Sequence, residues 1–320
     1  MIKIFKNNIL LQTVIVVAVA LASWLMSMHT STMPAPLDSA PLYNLIYNLL
    51  EPYPIACSCI ALFLILAEGL LLAMILNDHK MIPQNTILPM LFFVTTMSIG
   101  GPSLNPILFV NFVLLIIIHK LLLRGTPYTV SFDTVISVSA WISIASMFFM
   151  PAIFLVIPLV MSFIIYNLYH WRAWVMLLLG LLAPYIIYLS ILFCCGLPFK
   201  TPTIDWRQYA SLFQFSTTQL LSCIYFLIAF WSIITVLDTQ RERVVIYRKN
   251  TSIMLNAAWG ALPISIFAAW SGTFSEILQL FAVPFAYTLS LMFLNAKGRK
   301  WIWETLFILL IAIPLVVTSL

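Results

Sequence analysis

The chain has 320 residues, of which 63% are hydrophobic and only 8% charged, with a mean hydropathy of +1.07. Soluble domains carry about 25% charged residues, so a soluble core of this length is excluded. The formal charge of +5 and the pI near 9.0 do not mark a nucleic-acid binder, because no Lys/Arg cluster is interleaved with aromatic residues as a single-strand-binding groove requires.

In lipid every backbone group needs an internal partner, which leaves helices or a closed barrel. The apolar runs are roughly 20 residues long and do not alternate, so they read as helices. The expected fold class is therefore all-α: a polytopic transmembrane helix bundle of about 11 spans, forming a single integral domain over residues 1–320. No soluble domain, repeat or low-complexity tract interrupts it.

The spans are predicted in order. Span 1 covers 9–28 and follows Lys3 and Lys6; it is too long for a typical signal-peptide core and reads as uncleaved. Span 2 covers 55–77, ended by Asn77-Asp78-His79-Lys80. Span 3, over 86–99, is short and broken by Gly100-Gly101-Pro102. Span 4 covers 104–123. Spans 5 and 6 cover 132–149 and 151–169, with Pro151 at the turn between them. Span 7 covers 173–195, span 8 covers 212–237, span 9 covers 251–270, span 10 covers 275–295 and span 11 covers 302–319.

Charge sets the orientation. With the N-terminus inside, the inner loops hold Lys3, Lys6, Lys80, Lys120, Arg124, Arg172, Arg241, Arg243, Arg248, Lys249, Lys297, Arg299 and Lys300. The outer loops hold only Lys200 and Arg207. That asymmetry predicts a cytoplasmic N-terminus and an outside C-terminus in a multi-pass protein of the cell inner membrane. The loop over 238–250 reads as a solvated anchor on anionic lipid head groups. The outer face is expected to carry two segments of any size, 29–54 and 196–211.

Polar residues are few, so the candidates for chemistry form a short set. In the first outer loop, Leu42, Leu45, Ile46 and Leu49 recur at helical spacing, opposite Tyr43, Asn44, Tyr47 and Asn48. With Pro41 suited to the first turn, this predicts a short interfacial helix. Asp38 precedes it, read as a general base or metal ligand at the lipid surface, or else Asp38 or Ser39 caps the helix. Glu51 follows it.

Glu68 falls in the middle of span 2, where an ionisable residue is costly. It reads as a proton carrier, as a cation site, or as a hydrogen-bonded acid within the bundle. Asp133 opens span 5 and reads as a cap, or as a lock to the His170/Arg172 loop. Asp205-Trp206-Arg207, with Lys200, supplies the outer cations that an anionic phosphate would need, or else a surface ion pair with an interfacial Trp. The stretch Gly100 to Pro106 reads as a hairpin turn or as the break of a discontinuous helix, with Asn105 and Asn111 as intramembrane polar groups.

Cys57, Cys59, Cys194, Cys195 and Cys223 lie in or beside apolar spans and read as small buried hydrophobes. The four histidines are scattered at span ends. No metal site and no cofactor is expected, and no Walker A, H-E-x-x-H or G-x-S-x-G motif is present.

One stretch carries a resemblance. Phe132-Asp133, Ser139-Ala140-Trp141-Ile142-Ser143-Ile144-Ala145-Ser146-Met147-Phe148-Phe149, Pro151-Ala152, Trp171-Arg172-Ala173-Trp174 and Leu178-Leu179-Gly180-Leu181-Leu182-Ala183-Pro184-Tyr185 follow one another with a recognisable cadence. Together with Pro41-Leu42-Tyr43 and the Gly100–Pro106 turn, it resembles an uncharacterised multi-span inner-membrane family of Bacteroidetes-type bacteria. The likeness is strongest over 90–190, and more typical members carry a run of smaller residues where this chain has Ile144 to Phe148. The cadence also resembles the core of GT-C glycosyltransferases, integral enzymes that use polyprenyl-phosphate sugars. That resemblance implies Asp38 as the catalytic acid, with Glu51, Lys200 and Arg207 binding substrate. This chain departs from it in lacking a paired acid, a large second outer domain and a C-terminal soluble domain.

Three functions therefore stand open. The first is group transfer from a polyprenyl-phosphate-linked substrate at the outer face. The second is a transporter or lipid-carrier flippase built on Glu68 and the Gly100–Pro106 break. The third is a non-enzymatic subunit of an envelope or secretion complex. The expected partners are membrane lipids and, in the third case, a membrane protein complex.

Overall fold

The computed structural model describes residues 9–27, 34, 40–83, 86–123, 131–166, 170–196, 217–239, 245–270, 274–296 and 300–319. Every regular element among them is helical. In chain order these are α1 (Ile9–Ser27), α2 (Pro41–Leu50), α3 (Pro54–Asp78), α4 (Leu88–Met97), α5 (Pro106–Leu123) and α6 (Phe132–Phe148). A 3-10 turn (Met150–Leu155) then leads into α7 (Val156–Ile165). They are followed by α8 (Trp171–Cys194), α9 (Thr217–Thr239), α10 (Val245–Trp270), α11 (Phe274–Leu280), α12 (Ala282–Leu294) and α13 (Lys300–Ser319). Six helices, α1, α3, α5, α8, α9 and α13, are long and apolar enough to cross a membrane.

Two short helices form the centre. Every residue of α4 and every residue of α12 is buried. They pack on each other, with Phe92 stacked on Phe293 at 5.3 Å between ring centroids. Phe307 of α13 meets both rings edge-on, at 5.8 and 5.4 Å. At 10 residues, α4 rises only about 15 Å, half the hydrocarbon thickness. The residues that flank it, Thr86 on one side and Ser98 and Ile99 on the other, are buried in the protein.

The long helices ring this pair. The outermost, α8, buries only Ala173, Leu177 and Gly180 and turns Leu178, Leu182, Ile186 and Ile187 outward. An apolar outward face is the pattern of a helix solvated by lipid. α8 is seated on α6, where Gly180 lies against Ile136 and Ser139. Small residues at such crossings let helix backbones approach closely.

Contacts at the helix termini sort the bundle into two ends. At one, the histidine end, His79 meets His119, Gln12 meets Thr86, Lys120 donates to Ser137, and the Tyr166 hydroxyl donates to the Leu121 carbonyl. At the other, the glycine end, Gly101 lies against Ser27, Gly100 against Ser275, and Thr318 donates to the Met26 sulfur. α1 thus starts at the histidine end and α13 finishes at the glycine end. Lys80 and Lys120 lie at the histidine end with Asp78, whereas Glu51 and Glu276 lie at the glycine end.

Several expectations need revision. The helix predicted over 86–99 is only Leu88–Met97, and that predicted over 275–295 is interrupted at Phe281 between α11 and α12. Pro151 does mark the connection between the two helices on either side of it, as part of the 3-10 turn Met150–Leu155. α2 is present, with Ala40 at its N-cap position and no capping bond from that residue; Asp38 and Ser39 lie outside the described residues. Tyr43 is fully buried against the protein, while Leu45 and Leu49 are 64% and 68% exposed. Asp133 lies in the first turn of α6, whose N-cap Ser131 makes no side-chain capping bond.

A side chain at Gly180 has no room, since a Cβ there would stand 2.6 Å from the Ile136 carbonyl oxygen. Gly180→Val is expected to destabilise the bundle by about 1–3 kcal/mol, read as a lowered unfolding temperature in detergent. Unchanged unfolding would show that α8 does not seat there.

Candidate functional site

The break after α4 is built around one amide. Met97 and Ile99 leave backbone carbonyls that no helical turn can satisfy, and these groups are buried at bundle depth. The Gln279 side chain, from α11, donates to both, at 3.1 Å to Met97 O and 3.0 Å to Ile99 O. Its Oε1 accepts from Asn105 Nδ2 at 3.2 Å. Its backbone carbonyl accepts from Asn111 Nδ2 at 2.8 Å. The turn itself uses Gly100 and Gly101 at φ of 90° and 87°, a region that favours glycine. A Cβ at either would also press on Ser275 or Ser27, at 2.9 and 3.2 Å.

The other end of α4 has the same device. Gln12 Oε1, from α1, accepts from the Ile87 N–H at 2.9 Å and from the Thr86 hydroxyl at 3.3 Å. In the last turn of α4, the buried Tyr225 hydroxyl of α9 lies 2.8 Å from Thr96 Oγ1 and 3.3 Å from Thr95 Oγ1. α4 is thus bonded through polar side chains to α1, α9 and α11.

Glu68 is different in kind. It is 0% exposed, and neither carboxylate oxygen has a hydrogen-bond partner. It lies ten residues from the α3 C-terminus, about 15 Å from the histidine end. The next residue, Gly69, allows α4 close approach, since a Cβ there would meet the Met90 side chain at 3.0 Å. The Asn111 side-chain oxygen Oδ1 and the Ser143 hydroxyl are likewise buried without partners.

The predicted site residues separate accordingly. Asn105 and Asn111 are joined through Gln279, whereas Glu68 shares no hydrogen bond with them. Glu51 is the exposed C-cap of α2 and accepts from the Tyr47 hydroxyl at 3.2 Å. Burial, and then this carboxyl group, push the Tyr47 phenol up from its ordinary value. Tyr43 is pushed up chiefly by burial, with smaller contributions from Tyr47, Cys57 and Glu276. Asp38, Lys200 and Arg207 lie outside the described residues, as does Asp205.

Gln12, Gln279 and Tyr225 were missed by sequence reasoning, although a lone amide inside an apolar run was the available signal. The fold and this set of buried polar groups define a multi-pass helical membrane protein. Comparison of the chain with protein-family models, with curated proteins and with solved structures gave no match.

Gln279→Leu would strand the Met97 and Ile99 carbonyls and the Asn105 amide. Each buried unsatisfied group costs about 1–3 kcal/mol. The variant is expected to unfold well below the wild type in a denaturant series, and further below it than Asn105→Ala. Equal stability of Gln279→Leu and wild type would remove the clasp from the fold's energetics.

Proposed function

We propose that the protein is an eleven-span inner-membrane carrier in which Glu68 takes up a proton or a small cation as a solute or lipid-linked substrate moves. The carrying observation is the Glu68 carboxyl, wholly buried with both oxygens unpartnered. An ionised carboxylate in such surroundings is strongly disfavoured unless a cation or proton joins it, and intramembrane acids mark ion and proton pathways. The short helix α4 and the interruption between α11 and α12 support the same reading, because carriers place their sites beside discontinuous helices. The N-terminus is cytoplasmic and the C-terminus outside, so the histidine end faces the cytoplasm.

In proteoliposomes, the purified chain is expected to dissipate an imposed proton or sodium gradient. Glu68→Gln is expected to slow this by at least about tenfold while keeping wild-type unfolding. Equal flux in the two proteins would sink the proposal.

A second reading is group transfer from a polyprenyl-phosphate-linked donor. Its support is the gathering of Tyr43, Tyr47, Glu51 and Glu276 around α2 at the glycine end. It assigns catalysis to Asp38 and donor binding to Lys200 and Arg207. Full glycan assembly by an Asp38→Asn chain would exclude it.

A further inference from the structure

The histidines, read from sequence as scattered, are not all apart. His79 is the C-cap of α3, and His119 lies four residues before the end of α5. α3 and α5 both run from the glycine end to the histidine end, so two rings forty positions apart in sequence meet there. Their centroids are 6.3 Å apart, with planes at 65°. His79 Nε2 and His119 Nδ1 are both buried and both without a hydrogen-bond partner. Two adjoining imidazoles, each with an unpartnered ring nitrogen, can supply a ligand pair.

We propose that His79 and His119 form a two-coordinate site for copper(I) at the histidine end of the bundle. The spacing fits such a site. An imidazole–metal bond is about 2 Å, which brings the two nitrogens to about 4 Å, and the radii of the two rings make up the rest of the centroid separation.

The donor set selects the ion. Among the described residues no third His, Cys, Asp or Glu joins the pair. Zinc takes four ligands in structural sites, and calcium and magnesium take six or more oxygens. Copper suits imidazole, and its monovalent form accepts two ligands in a line. The neighbouring charges do not compete: Asp78 and Lys80 are exposed, and Lys120 is turned to Ser137 and lies over the Trp141 ring.

The site is independent of the carrier reading and has its own test. The full-length protein in detergent is titrated anaerobically with copper(I) against a chromophoric competitor, and the loaded protein is examined by X-ray absorption. The expected result is one tightly held ion with two nitrogen neighbours at about 2 Å. His79→Ala and His119→Ala should each weaken it by at least about tenfold, with unfolding temperatures unchanged. Copper held equally by both variants, as by methionine sulfur elsewhere in the chain, would overturn the proposal. So would zinc(II) binding the wild type as tightly as copper(I).

Discussion

The fold depends on satisfying the backbone groups left open where a short helix stops against other helices. α4 rises only about 15 Å, and Thr86, Met97, Ser98 and Ile99 at its ends are buried in the protein. Gln12 takes the donors at one end, and Gln279 fills the acceptors at the other. Without these amides α4 would have to lengthen to the surface or leave the core, and α12 would lose the surface on which it is packed. A helix can be this short here only because two other helices supply its missing hydrogen bonds.

The same constraint separates structural from functional polarity. Asn105, Asn111, Tyr225, Thr95 and Thr96 all sit in hydrogen-bonded arrangements that fix α4 against its neighbours. Glu68 has no such employment. Its two oxygens are buried without partners beside a helix that is locked in place, so its cost to the fold is not offset by any bond the fold needs. That contrast makes Glu68, rather than the asparagines, the residue to examine for chemistry.

Much of the architecture was legible in the sequence because lipid imposes simple rules. Length and apolarity located the helices, and Gly100-Gly101-Pro102 located the break. The alternation of basic residues matches the sorting of Lys80 and Lys120 to one end of the bundle. What could not be read was pairing at long range. Gln279 lies about 180 positions from the carbonyls it serves, and His79 and His119 are separated by an entire broken hairpin. Nor did the sequence show which face of α2 packs on the protein. An amphipathic pattern names two faces but not what each meets, and here Tyr43 turns in while Leu45, Asn48 and Leu49 are exposed.

The order of the central helix is therefore the critical property, and amide hydrogen exchange on the protein in lipid nanodiscs measures it most directly. Leu88–Met97 should exchange as slowly as Ala282–Leu294 and far more slowly than the surface helix Pro41–Leu50, despite its short length. Exchange of Leu88–Met97 at the rate of Pro41–Leu50 would contradict a core clasped at both ends.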